Sequence, residues 1–198
     1  MSPNTAYELL RAETPGRIEE IRTLFKEYAG SLDFGLCFQD FEGELARLPA
    51  DYAPPSGRLL LALSEQDPAG CVALRPISPG ICEMKRLYVR PAHRGTGLGR
   101  RLCERIISEA RGLGYAFMRL DTVASSMPTA VALYQKLGFR EIPPYRRNPV
   151  PGALYMELEL GSLLDAARAE AGPRNTNRAG GWNGDSQRQP GPRGREMR

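Results

Sequence analysis

Apolar positions recur with two periods along the first 160 residues. Between Pro15 and Ala29, Ile18, Ile21, Phe25 and Tyr28 return at three- and four-residue steps, the spacing of a helix with one buried face. Phe38–Leu48 reads as a second, shorter helix ended by Pro49. Leu98, Leu102, Ile106, Ala110 and Leu113 trace another helix, closed by Gly112 and Gly114, and Pro128–Leu137 a further one stopped by Gly138. Strand patterns occupy Tyr7–Ala12, Arg58–Leu63, Cys71–Ile77, Ile81–Val89, Tyr115–Asp121, Phe139–Ile142 and Ala153–Leu160. Pro- and Gly-rich stretches at 51–57, 79–80 and 143–152 read as turns or loops. The order β, α, α, β, β, β, α, β, α, β, β predicts an α/β chain: a mixed, mostly antiparallel sheet with helices on both faces.

After Leu160 the pattern changes. Ser162–Ala171 has the makings of a short helix, but from Gly172 onward only Trp182 is large and apolar. Such a segment buries too little surface to offset the entropy of ordering. The expected organisation is therefore one domain over 1–160 and an extension over 161–198, disordered from about 172. No run of apolar residues reaches membrane-spanning length, and the N-terminus lacks a basic segment followed by an apolar one, so a soluble cytoplasmic chain is expected. Cys37, Cys71, Cys82 and Cys103 are scattered and His93 is the only histidine, which argues against a zinc site or a disulfide scaffold.

Charge is unevenly placed. Residues 85–119 hold nine basic and two acidic side chains, whereas residues 1–84 hold seven basic and thirteen acidic ones. A basic middle suits a polyanionic ligand and an acidic N-terminal part suits a cationic one. The Arg/Gly-rich tail is expected to be a solvated extension rather than a nucleic-acid or lipid contact.

The segment RLYVRPAHRGTGLGRRL, residues 86–102, carries the chemistry. A strand ends at Val89, a glycine-rich loop follows, and a helix begins with unsatisfied amides and the positive end of its dipole. Glycines let a backbone approach an anion closely, and Arg94, Arg100 and Arg101 add charge, so a phosphate or pyrophosphate is the expected ligand. A P-loop would need Gly-Lys-Ser/Thr, where this chain has Gly99-Arg100-Arg101. A dinucleotide fingerprint would need a third glycine at position 100 and a shorter loop after the strand, although Asp121 sits near the distance of a ribose-binding acid.

Arg94, Gly97 and Gly99 after a strand ending Leu87-Tyr88-Val89 resemble the Arg/Gln-x-x-Gly-x-Gly/Ala signature of the Gcn5-related N-acetyltransferases, the GNAT superfamily. Ala130 to Phe139, A-x-x-L-Y-x-x-x-G-F, is similar to that family's second marker, and the element order is similar to its fold. The resemblance covers about residues 5–160. It implies an acetyl-CoA-dependent N-acetyltransferase without a metal. The pyrophosphate would lie on Arg94, Gly95, Thr96, Gly97, Leu98, Gly99 and Arg100. The pantetheine arm would run beside Leu87, Tyr88 and Val89, where strand splaying would free main-chain groups to pair with it.

The resemblance further implies Glu83 as the base that deprotonates an acceptor ammonium, directly or through water, with Asp121 and Tyr88 as rivals. It implies Tyr134 as the donor to the departing CoA thiolate. His93 is expected at the phosphate edge rather than as a base. The family often carries an Asn seven residues before this Tyr; here the position is Met127, with Ser125 and Ser126 as candidate replacements. The acceptor expected is a primary amine on a small or amino-acid-like molecule, faced by acidic residues of 1–84 and covered by the loop 143–152, whose Arg146 and Arg147 are placed to hold a carboxylate. The alternatives are a protein lysine or N-terminal acetyltransferase and a non-catalytic CoA-binding module. The sequence leaves the oligomeric state open, a homodimer included.

Overall fold

The computed structural model describes residues 6–36 and 40–161. The tail from Ser162, including the helix expected at Ser162–Ala171, and the first residues of the helix expected from Phe38 lie outside them. The elements are β1 (Tyr7–Arg11), α1 (Pro15–Gly30), α2 (Phe41–Arg47), β2 (Arg58–Ser64), β3 (Asp67–Ser78), β4 (Ile81–Val89), α3 (Leu98–Gly112), β5 (Phe117–Val123), α4 (Pro128–Lys136), β6 (Arg140–Glu141) and β7 (Ala153–Glu159). Single 3₁₀ turns at Ala50–Tyr52 and Pro91–His93 interrupt the loops.

The strands form one seven-stranded sheet in the order β1-β2-β3-β4-β5-β7-β6. Every neighbouring pair is antiparallel except β4 with β5. Helix α3 makes the crossover between those two. Helix α4 leads from β5 to β6, and β7 fills the place between them.

Both faces of the sheet are covered, which is why β2 reads as an unbroken apolar run. Leu59, Leu61 and Leu63 pack with Ile21, Leu24 and Phe25 of α1 and with α2. Leu60 and Ala62 turn the other way, onto Leu102, Cys103 and Ile106 of α3. Each such leucine, fully buried, contributes about 1.5–3 kcal/mol relative to exposure. Thr14 caps α1 through Oγ1, which accepts from Arg17 N, and Pro15 occupies the first turn, where it forfeits no helical hydrogen bond.

Strand β3 starts earlier than the composition of residues 64–70 suggests. Glu65 and Gln66 both take positive φ, 50° and 75°, and close a two-residue hairpin, so pairing resumes at Asp67. Pro68 is tolerated because the register shifts beside it, between Ala62 and Leu63 of β2. No helix among the described residues is long and apolar enough to cross a membrane.

One charge cluster ties the α3 layer to the sheet edge. Glu109 of α3 is 7% exposed and accepts from Arg11 of β1 (2.7 Å), Arg58 of β2 (3.3 Å) and Arg105 (2.9 Å). Burial pushes its carboxyl up, but the hydrogen bonds and charges of Arg11 and Arg105 outweigh that and hold it below the ordinary carboxylate range. A depressed carboxyl stabilises the fold above its unfolded pKa and loses that stabilisation as pH falls through the folded value. Glu109→Gln is therefore expected to lower stability by about 1–3 kcal/mol at neutral pH. Denaturation across pH should show the gap from wild type closing below about pH 4.

Candidate active site

The site begins where the sheet opens. Strands β4 and β5 pair only through Ile81↔Phe117, Cys82↔Met118 and Glu83↔Arg119. Beyond that, β5 stays with β7 as far as Val123↔Ala153, while β4 stays with β3 as far as Val89↔Gly70. The two strands part like the arms of a V, so the β5-facing edge of β4 from Met84 to Val89 has no strand partner among the described residues.

A bulge in β4 accompanies the divergence. Cys71 faces Tyr88 and Ala73 faces Lys85, so two residues of β4, Arg86 and Leu87, oppose Val72 alone. Arg86 sits at φ 56°, a conformation that costs a non-glycine residue about 1–3 kcal/mol and persists only where its surroundings enforce it. Here the enforcement is a double contact with Glu44 of α2, Nε to Oε1 at 2.9 Å and Nη2 to Oε2 at 2.5 Å. The Arg86 side chain is 2% exposed, its guanidinium lies 5.0 Å from the Phe41 ring centroid, and Tyr52 donates a further bond to Glu44 at 2.8 Å.

The opening is a cleft lined on one side by Lys85, Arg86 and Leu87 and on the other by Asp121, Thr122 and Val123; Tyr28, Tyr134 and Asn148 close it. The β4 wall runs on past the cleft to Val89, and α3 starts beside it. There Gly95 and Gly97 take φ of 77° and 85°, which favours glycine, and both are exposed. Gly97 is the N-cap of α3 and supplies no side-chain acceptor, so the first amides of a fifteen-residue helix face outward. Leu98 belongs to this loop through its amide alone, since its side chain is 1% exposed in the core. A Cβ on Gly99 would point toward Val89 and Leu133, at 3.8 and 4.0 Å, so the glycine keeps the corner between β4 and α4 clear.

The structure brings the expected loop residues together with one redistribution of charge. Arg94 donates from Nε to the Val89 carbonyl at 3.1 Å and lies 5.9 Å from the Tyr88 ring. Thr96 donates to the His93 carbonyl at 2.7 Å, and exposed Arg100 pairs with Glu104 at 2.7 Å. Arg101, in contrast, turns away from the anion site: it donates to the Tyr7 carbonyl at 3.0 Å and packs on that ring. His93 also pairs with Tyr7, Nδ1 to hydroxyl at 3.1 Å, and so fastens the loop to β1.

Below the bulge the side chains form an ionic lattice. Glu83 is 0% exposed and both its oxygens are engaged. Oε2 accepts from Arg75 at 3.0 and 2.9 Å; Oε1 accepts from the Tyr145 hydroxyl at 2.7 Å and lies 3.3 Å from Arg146. Arg146 also bonds Asp121, which accepts from Asn148 at 2.8 Å and lies 3.7 Å from Lys85. Burial pushes the Asp121 carboxyl up, but Lys85, Arg146 and Asn148 prevail and hold it below its usual range. Lys85, 6% exposed, is drawn down to about 8, chiefly by burial. Arg146 is thus committed to two carboxylates rather than left open for an acceptor's, and Arg147 is exposed. The acids of the N-terminal part that reach this region, Glu44 and Glu83, are each matched by arginine.

Tyr134 of α4 lines the cleft at 7% exposure, its ring 5.7 Å from Phe139. Burial raises its phenol well above the ordinary value, so it stays a protonated donor. Met127 also lines the cleft and accepts a contact from Thr122 at 3.4 Å. Ser126 turns to Asp33, at 3.0 Å, and not into the cleft. Sequence reasoning missed Glu44, Arg75, Arg86 and Tyr145. The only available signals were charges at alternate positions of β4, which do not say what lies opposite.

Comparison with known proteins places these features. The model of the acetyltransferase (GNAT) family matches residues 18–139. A protein of Schizosaccharomyces pombe described as an uncharacterized N-acetyltransferase is 44% identical over 148 residues, 74% of this chain and 90% of that one. An L-amino acid N-acyltransferase of Escherichia coli is 43% identical over a shorter stretch of 53 residues, 27% of this chain and 30% of that one. A Salmonella typhimurium protein solved with its cofactor acetyl-CoA superposes with a TM-score of 0.59 at 22% identity, over 79% of this chain and 95% of that one, a likeness of fold.

Arg146 joins the loop 143–152 to both Glu83 and Asp121, and its removal takes one cation from each, leaving Glu83 with Arg75 and Tyr145 and Asp121 with Asn148 and Lys85. Arg146→Ala is expected to cost about 1–3 kcal/mol, the range for losing hydrogen bonds to charged groups that keep other partners. Chemical denaturation should show that loss, and limited proteolysis should show faster cleavage within 143–152.

Proposed function

The chain belongs to the GNAT acetyltransferase family and is an N-acetyltransferase with acetyl-CoA as co-substrate; from that premise we propose that its acceptor is the primary amine of a small, amino-acid-like molecule. The observation that carries this reading is the run of the unpaired β4 edge from the cleft to the start of α3. Beyond the cleft that edge reaches Val89, beside which α3 starts with amides that no side chain caps, suited to a pyrophosphate. The unpaired edge of β4 along Leu87, Tyr88 and Val89 offers main-chain groups to an amide-rich arm, as a strand partner would. The thioester then falls between that edge and Tyr134.

The loop 143–152 supports a small acceptor over a protein one. Asn148 borders the cleft, and Arg146 and Tyr145 bind the loop to β4 and β5 from inside, which narrows the approach for a polypeptide. The relative from Escherichia coli, named for L-amino acids, points the same way.

Attack by the amine on the thioester carbonyl leaves a tetrahedral intermediate whose collapse expels CoA thiolate. Tyr134, kept neutral by burial, is the donor we assign to that sulfur. Glu83 takes a different part from the one its strand position suggests. With both oxygens held by Arg75, Arg146 and Tyr145, it serves as a fixed anion that positions the loop.

CoA release measured with a panel of amines tests the function. Turnover with amino acids or small amines, and none with lysine peptides, is the expected result; acetyl-CoA binding without turnover on any acceptor would leave only a binding module. Tyr134→Phe keeps the ring on Phe139 and removes the hydroxyl alone. Its turnover is expected to fall by about 10²-fold or more, with acetyl-CoA affinity and melting temperature little changed. A full-rate variant would return Tyr134 to a packing role.

A further inference from the structure

We propose that Lys85 is the group that takes the proton from the acceptor ammonium. The inference rests on the reading of the cleft as an amine-acetylating site and adds the residue that makes the amine nucleophilic. An ammonium has no lone pair, so something in the cleft must accept its proton before attack.

The placement is specific. Lys85 is the last residue of β4 before the bulge, two positions from Glu83 on the same face. Its side chain is 5% exposed and lines the cleft opposite Asp121, with Tyr134 on the same cavity. The carboxylates nearby are engaged: Glu83 by Arg75, Arg146 and Tyr145, and Asp121 by Arg146, Asn148 and Lys85 itself. Protonating Asp121 means breaking charge-assisted bonds.

The surroundings of Lys85 are mixed in sign. Glu83 and Arg86 lie on its own strand, Asp121 on β5, Glu44 on α2 and Arg146 on the loop, with the phenols of Tyr28 on α1 and Tyr134 on α4. Burial lowers its pKa to about 8 and Arg86 and Arg146 act in the same direction, against Glu83 and Asp121. Near neutral pH both forms of the lysine are therefore populated. Tyr28, pushed up to about 12 by burial, and Tyr134, pushed higher, do not change form there.

The step balances as follows. One N–H bond of the acceptor ammonium breaks and its proton joins the lone pair of neutral Nζ. The freed nitrogen pair forms the C–N bond as the carbonyl π pair moves to oxygen. Collapse breaks the C–S bond, and the thiolate takes the Tyr134 proton. The remaining extra proton on nitrogen leaves as the amide forms and restores the phenol. Lys85 ends as an ammonium 3.7 Å from Asp121 and returns its proton to solvent.

The test compares pH profiles of kcat/KM for the wild type with two acceptors whose amines differ in pKa, and for Lys85→Arg and Lys85→Met. An inflection near 8 that stays in place for both acceptors is expected of the wild type. Arginine keeps the charge but does not release a proton in this range. Both variants are therefore expected to fall by about 10²-fold at pH 7, alike, with the deficit shrinking at high pH and acetyl-CoA affinity retained. A Lys85→Arg enzyme at wild-type rate, or a rise in KM alone in Lys85→Met that arginine repairs, would overturn the proposal in favour of charge-based binding. Should either variant fail to fold, the wild-type profiles decide: an inflection that moves with the acceptor and no second one rejects Lys85. A wild-type enzyme that turns over no amine fails the parent reading instead and takes this assignment with it.

Discussion

The contact between Arg86 and Glu44 governs what the rest of the structure can do. It holds a non-glycine residue at positive φ in the middle of a buried strand. Without that enforcement the bulge at Arg86 and Leu87 would relax toward regular pairing with β3. The bulge is held instead, and it sits in the wall of the cleft that opens between two strands of one sheet. The energy for this distortion is supplied by a buried ion pair, by a ring from α2 and by a phenol from the turn that follows it. Helix α2 is thus part of the active-site apparatus although it contributes no side chain to the chemistry proposed here.

The site has two ends with different electrostatic solutions. At α3 the helix is left uncapped by any side chain, and Gly95 and Gly97 keep the backbone bare, so an anion meets open amides. At the other end every carboxylate is matched. Glu83 and Asp121 share Arg146, and that one side chain makes the 143–152 loop part of the wall. Once those carboxylates are satisfied, a buried lysine is left as the group whose protonation state changes near neutral pH. Buried ionic networks of this kind do little for net stability but specify one arrangement of the groups around a reacting centre.

Much of this was legible in the sequence. Helical spacing located α1, α3 and α4 to within a residue or two, because a helix buries one face and its period survives any tertiary context. Strand β4 was legible to the residue, bounded by Pro79-Gly80 and by Pro91. The glycine-rich anion loop was legible because positive φ and an uncapped helix start need particular residue types at fixed offsets. Strand β3 was misjudged at its start, since Pro68 and Gly70 look like a turn until the bulge that accommodates them is seen.

What the sequence could not determine is which charges meet. Glu83, Lys85 and Arg86 are near neighbours in β4, yet their partners are 8, 36 and 42 positions away: Arg75, Asp121 and Glu44. Arg101 and His93 looked like members of the anion site and proved to be fastenings to Tyr7. Local sequence determines backbone preference and which face is apolar, because those depend on neighbours within a turn or a pleat. Which acid is silenced by an arginine, and which base is left able to exchange a proton, depends on groups that only the closed sheet and the docked loop bring within 4 Å, and that part was decided by the tertiary structure alone.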